Sequence, residues 1–147
     1  MKRFTNLDKL INSGYKEIVL DSDFTLGDEE ESEYIEGIEL DLDDIKIDGN
    51  GHTIDARGKA KIFKFNDKRV TLKNIKFING NANQGGVIYQ DNGKLIIKDC
   101  VFKDNKSKYG GAIYADYGRL KIIKSVLKEN ESKYGGQYTA TLEISRS

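Results

Sequence analysis

Three glycine pairs, Gly85-Gly86, Gly110-Gly111 and Gly135-Gly136, recur at a constant spacing of 25 residues. Apolar landmarks keep the same spacing: Phe77, Phe102 and Leu127; Val70, Leu95 and Leu120; Leu72, Ile97 and Ile122. Unrelated residues that share one register mark a repeat architecture, in which each unit buries its apolar face only against its neighbours. Within a unit the apolar residues alternate with polar ones, as in Val70-Thr71-Leu72. The runs are short, rich in Ile, Val, Tyr and Phe, and bounded by Asn, Asp and Gly. A 25-residue unit of this kind has room for two or three short strands and none for a helix. Such units stack in parallel at about 4.8 Å per coil.

Residues one period apart then become vertical neighbours, and the sequence reads as columns. Three columns are expected to face inward: Ile45, Val70, Leu95, Leu120; Ile47, Leu72, Ile97, Ile122; and Ile38, Phe63, Ile88, Ile113, Tyr138. Two more run Ile75, Cys100, Ser125 and Phe77, Phe102, Leu127. Stepping back a further period from Ile45 reaches Leu20, so the repeat extends upstream although the glycines do not. The expected fold is an all-β, right-handed parallel β-helix of about five turns over residues 1–147, as one domain. Its parts are a cap helix at 4–14, an irregular first turn at 15–44, regular repeats at 45–136 and an incomplete last turn at 137–147. The hand follows from the general right-handedness of parallel β connections.

Composition agrees with a narrow solenoid core, since only 37% of residues are apolar. The 24 basic and 24 acidic side chains cancel, so net charge argues for neither nucleic acid nor an anionic membrane surface as partner. No apolar run approaches the roughly 20 residues of a membrane span, and the opening Met1-Lys-Arg-Phe-Thr-Asn-Leu-Asp8 lacks the apolar segment of a secretory signal.

An open solenoid end would template aggregation, so a cap is expected. Phe4, Leu7, Leu10 and Ile11 fall on one helical face, Thr5 with Asp8 resembles a capping box, and Gly14 can close the helix. After Gly136 the chain has neither a helix nor a charged terminal repeat. The expectation there is a piece of a longer solenoid, or an end covered by a partner, with end-to-end stacking at the C-terminal open end.

Several side chains are read as structural. Cys100 falls in an inward column and is expected to be a small core residue. Asn105 and Asn130, three residues after Phe102 and Leu127, are expected to form an amide ladder that satisfies turn backbone. The glycine pairs permit positive φ and close backbone approach; no Lys-Ser/Thr and no helix follows them, against a phosphate loop.

The run Ile47-Asp-Gly-Asn-Gly-His-Thr-Ile-Asp55, with Gly85-Gly-Val-Ile-Tyr89, Gly110-Gly-Ala-Ile-Tyr114 and Phe102-Lys-Asp-Asn105, resembles the adhesin-like β-helix proteins of methanogenic archaea. Those share GGAI and FxxN signatures with polymorphic outer membrane proteins. The resemblance covers roughly residues 4–136; Leu127/Asn130 is a conservative match and Phe77-Ile-Asn-Gly80 a departure. It implies a right-handed, pectin lyase-like β-helix, cell-surface or secreted location, and adhesion to glycan or to a host or cell-surface protein.

The same superfold carries polysaccharide lyases and glycoside hydrolases, whose chemistry needs carboxylates that share an outward face. The column Asp48, Lys73, Lys98, Ile123 has only one. The column Asn66, Asp91, Asp116 has two on adjacent coils, about 5 Å apart, beside Lys64, Tyr89 and Tyr114. Tyr89, Asp91, Tyr114 and Asp116 are therefore the candidate ligand-binding residues, with tyrosines to stack on a sugar ring and carboxylates for Ca²⁺ or glycan contact. Both Asp residues adjoin Gly-containing turns, so turn structure is the favoured role and no catalytic residue is assigned. The leading reading is a non-enzymatic adhesin-like surface or scaffold module without a cofactor; the alternative is an enzyme acting on acidic polysaccharide. His52 is expected to be a polar turn residue, with Asp48 and Asp55 its nearest partners in sequence. Asp28 to Glu33 reads as a solvated loop, and Asp41, Asp43 and Asp44 as solubilising charges. Lys108-Tyr109 and Lys133-Tyr134 read as edge cover before each glycine pair, with an acidic glycan as the other reading.

Overall fold

Strand after strand pairs in parallel with the strand one repeat later. In a computed structural model, which describes residues 2–134 and the backbone of 138–145, the strands form three sheets. One coil runs Phe63–Asn66, Arg69–Lys73, Lys76–Ile78, Asn81–Gln84 and then re-enters the first sheet at Ile88–Asp91. The nine-stranded sheet has two limbs. One stacks Glu17–Val19, Ile45–Asp48, Arg69–Lys73 and Lys94–Lys98; the other stacks Ile38–Glu39, Phe63–Asn66 and Ile88–Asp91. The long strand Ile113–Ile123 joins both limbs, and Tyr138–Ser145 pairs with it. The six-stranded sheet runs from Lys2–Arg3 to Val126–Lys128, and the three-stranded sheet stacks Asn81–Gln84, Lys106–Tyr109 and Glu131–Tyr134. Among the described residues no helix is long and apolar enough to cross a membrane.

Corners explain how such short strands turn so sharply. Three corners of the coil each place a non-glycine residue in the left-handed region: Asp67, Asn92 and Tyr117; Asn74, Asp99 and Lys124; Asn79, Asp104 and Glu129, with φ between 47° and 60°. Asn and Asp tolerate this conformation because their short polar side chains bond locally. The fourth corner is the glycine pair, where Gly85 has φ +65° and an added Cβ would lie 2.1 Å from the Ile88 carbonyl oxygen.

The expected columns form the core. Val70, Leu95 and Leu120 share one register and Leu72, Ile97 and Ile122 another, all buried. Ile38, Phe63, Ile88 and Ile113 do likewise, and the backbone of Tyr138 continues that register. The rings of Phe77 and Phe102 stack with centroids 4.8 Å apart. Each such side chain contributes about 1.5–3 kcal/mol relative to exposure. Cys100 is buried as expected, and its thiol is pushed up to about 12, chiefly by burial. The third glycine pair, Gly135-Gly136, lies outside the described residues.

The 25-residue register fails at both ends. Leu20, expected one period before Ile45, does not pair with it; Ile18 pairs with Ile47, a step of 29 residues, and Phe24 pairs with Ile54 at a step of 30. Leu20 is buried, but beyond the end of that strand. Thr53 pairs with Lys76, only 23 residues on, because Gly49 to His52 fills a corner that two residues, Asn74 and Ile75, make one coil later. At the far end Ile113 pairs with Tyr138, but Arg119 pairs with Thr141 and Leu120 with Leu142, so the last rung skips the Asp-Tyr-Gly corner.

The cap helix spans Phe4–Ile11 and buries Phe4, Leu7 and Ile11 on the first coil. The expected Thr5/Asp8 capping box is not what holds it. The carboxylate of Glu30 accepts the backbone N–H of Phe4 at 2.9 Å and of Thr5 at 2.8 Å, and the Thr5 hydroxyl at 2.6 Å. Asp8 instead accepts the Tyr34 hydroxyl at 2.8 Å. Asp28 to Glu33 is accordingly not a solvated loop: Asp28–Glu30 forms a 3₁₀ turn, Glu31–Tyr34 one helical turn, and Glu30 is buried. A carboxylate at a helix N-terminus satisfies orphan donors and meets the positive end of the dipole.

Candidate functional site

Alternation along the second limb puts Phe63, Phe65, Ile88 and Gln90 inside and leaves Lys64, Tyr89, Asp91, Tyr114 and Asp116 facing outward. Register then stacks them: Lys64, Tyr89 and Tyr114 in one column, and Asn66, Asp91 and Asp116 in the next. The four residues singled out from sequence are thus brought together on one face.

The Tyr89 and Tyr114 rings are 5.5 Å apart and 5° from parallel. Their order comes from the ladder beneath, which fixes Cα positions one rung apart, so the stack is preformed. Burial first, then the carboxylates of Asp116 and Asp91, raise the Tyr89 phenol above its ordinary value, so the hydroxyl stays protonated as a donor.

Lys61 completes the face. Its ammonium sits 4.8 Å from the Tyr89 ring centroid and 3.8 Å from a Glu36 carboxylate oxygen, and the residue is only 5% exposed. Burial lowers its pKa, opposed by Glu36. In the 25-residue register Lys61 stands where Gly86 and Gly111 stand later. The coil before the first glycine pair therefore replaces the second glycine with a cation laid against the tyrosine stack.

Asp91 also braces the neighbouring corner. Its carboxylate accepts the Asn92 side-chain amide at 3.2 Å, while the Asn92 backbone N–H donates to the Asp116 carbonyl at 2.8 Å. Asp91 is thus tied to the adjacent left-handed corner by its side chain, whereas Asp116 takes part through its backbone carbonyl. Among the described residues no three His, Cys, Asp or Glu side chains converge in a metal-binding arrangement.

Other candidates resolve differently. His52 Nδ1 lies 3.1 Å from Asp23 Oδ1, 29 residues away, and not against Asp48 or Asp55. Asp48 and Asp55 are turn locks: each accepts the backbone N–H two residues on and the amide of Asn74 or Asn79 on the next coil. Asp43 accepts the Arg69 backbone N–H at 2.8 Å, so it ties two coils together as well as carrying charge. Tyr109 and Tyr134 stack at 5.4 Å on the three-stranded sheet, each with the preceding lysine over its own ring.

Sequence reasoning missed Lys61 and Glu30. The signal for Lys61 was available, since aligning the repeats places it opposite two glycines. For Glu30 there was none, because it sits in a run of acids with nothing to distinguish it.

No curated protein and no solved structure is significantly similar to the chain. One family model matches residues 7–118, described as "Putative pectate lyase-like adhesive domain". The match covers most of the chain, from the cap helix into the long strand that carries Tyr114 and Asp116, and the parallel, curled β architecture described above accords with a pectate lyase-like fold. The chain belongs to this family of pectate lyase-like adhesive domains.

Proposed function

We propose that the chain is a non-enzymatic adhesive module displayed at a surface, and that it binds glycan through the face formed by Tyr89, Tyr114, Asp91 and Asp116. The observation that carries this reading is the Tyr89–Tyr114 stack, parallel to within 5° and backed by the buried Lys61. Aromatic rings held by a rigid ladder offer apolar area at little entropic cost to a sugar, and carboxylates one rung apart offer acceptors for its hydroxyls. A preformed face also suits repeated weak contacts along a polymer. The Asn105–Asn130 ladder and the glycine-pair corners support kinship with surface proteins built on FxxN and GGAI repeats.

A glycan-array screen of the purified chain, with and without Ca²⁺, tests the reading. Binding is expected to fall by about 10-fold or more in Tyr89→Ala and Tyr114→Ala, with no shortened or unsaturated oligosaccharide released. Cleavage of an acidic polysaccharide, abolished by Asp91→Asn or Asp116→Asn, would establish the enzymatic alternative instead.

A further inference from the structure

Net neutrality hides a segregation of charge. Residues 1–60 carry 16 acidic and 7 basic side chains, whereas residues 61–147 carry 8 acidic and 17 basic. Much of the basic excess gathers on the outer face of the first limb, where alternation buries Val70, Leu72, Leu95, Ile97, Leu120 and Ile122. Arg69, Lys94 and Arg119 form one outward column, Lys73 and Lys98 a second, and Lys121 lies between them on the last of these strands.

Cations on successive rungs are about 4.8 Å apart, inside the Debye length of about 8 Å at physiological salt. Like charges directly opposite across a ladder destabilise it. The acids that meet the patch lie at its edge toward the cap: Asp48 is 3.9 Å from Lys73, and Asp43 accepts the Arg69 backbone N–H. Lys121 pairs in register with Glu143 at the other edge. Among the described residues the side chains of Lys94, Lys98 and Arg119 form no ion pair. A repeated, uncompensated cationic column on a neutral chain is a surface whose counter-charge comes from a partner.

We infer that this face binds a linear acidic polysaccharide, running along the solenoid axis with carboxylate or sulfate groups set against successive rungs. Arginine forks at two of the three rungs suit planar or tetrahedral oxyanions, and the lysines add point charge. The positions between the cationic columns are Thr71, Ile96 and Lys121, with no aromatic side chain. Single-stranded nucleic acid is held on aromatic platforms, and duplex DNA by an element that enters a groove; a flat sheet face without aromatics offers neither. The cationic face lies across the Asp67/Asn92/Tyr117 corner from the tyrosine face and does not rest on the role proposed for it.

The test is retention of the whole chain on immobilised dextran sulfate and polygalacturonate, with neutral dextran and single-stranded DNA in parallel. Binding to both acidic polymers is expected, none to dextran, and a steep loss between about 50 and 200 mM salt. Lys94→Glu/Arg119→Glu is expected to weaken binding by more than about 10-fold, and the milder Lys94→Gln/Arg119→Gln to weaken it in the same direction. Lys103→Glu/Lys128→Glu, an equal charge change on the six-stranded sheet, is expected to cost less than about 3-fold. The loss caused by Lys94→Glu/Arg119→Glu is expected to be of the same size in a Tyr89→Ala background, which separates this face from the tyrosine face. Thermal unfolding of each variant confirms that it is folded. Failure of the parent chain to bind, an equal loss in the Lys103/Lys128 control, or equally tight binding of DNA would overturn the assignment.

Discussion

The Asn105 side-chain amide donates to Asn130 Oδ1 at 2.9 Å, and each asparagine also donates to the carbonyl of a phenylalanine 28 residues earlier, Phe77 and Phe102 respectively. Asn105 Oδ1 in turn accepts the Gly80 backbone N–H at 2.8 Å. The third place in the column is Gly80 because a Cβ there would lie 2.0 Å from the Gly86 carbonyl oxygen. The FxxN signature is thus a device for satisfying corner backbone inside the coil. Asn105→Ala strands several buried polar groups and is expected to cost about 2–4 kcal/mol in urea unfolding. Asn130→Ala, at a half-buried position, is expected to cost less. A cost for Asn105→Ala within about 0.5 kcal/mol of zero would remove the ladder from the account of stability.

Glu30 couples the cap to acid. Burial pushes its carboxyl up, but the Thr5 hydroxyl and the N–H groups of Gly27, Thr5 and Phe4 outweigh it, and the pKa lies below the ordinary glutamate value. A depressed carboxyl stabilises the fold above its unfolded pKa, about 4.3, and the contribution is lost as pH falls through the folded value. Protection of Phe4–Ile11 from hydrogen exchange, taken relative to the intrinsic rate at each pH, is expected to fall below that unfolded value, and Glu30→Gln to lower it already at neutral pH. Protection in the parent chain that stays constant across this range would count against the role.

Tyr117 is 89% exposed and has φ 57°. A bulky residue in the left-handed region is strained, and its neighbours in the column, Asp67 and Asn92, are of the tolerant kind. Tyr117→Asn is expected to raise stability by about 0.5–1 kcal/mol, read as a higher urea midpoint. A lower midpoint would mean that the ring makes a stabilising contact.

Cys100 is expected to be inert to thiol reagents in the native state at pH 8, since its thiol titrates at about 12. Its modification by an aromatic disulfide reagent should follow the unfolding rate as denaturant is added. Rapid labelling without denaturant would show that the core opens at this coil.

The inward columns were legible because one period and one residue class, aliphatic or Phe, recur together from Ile45 to Ile122. The candidate face was legible for the same reason, as outward residues inherit the register of their buried neighbours. What escaped depended on departures from the period. The two-residue excess at Gly49 to His52 and the long first coil put Ile18 opposite Ile47, left Leu20 out of register with Ile45, and brought His52 to Asp23. The Asn and Asp corners carry a recognisable chemistry, but Tyr117, Lys124 and Glu129 occupy the same conformation with none. Net charge concealed a gradient that counting residues 1–60 and 61–147 apart reveals.

Between Phe63 and Ile113 each rung repeats after 25 residues without insertion or loss. The chain is therefore quantised in length. A whole coil added or removed there would shift the reach of both outward faces by about 4.8 Å and leave the cap and the short last rung as they are. Any other increment would rotate every later residue out of its place. The length of face that such a protein presents is in this sense counted in coils, and changes only by whole steps.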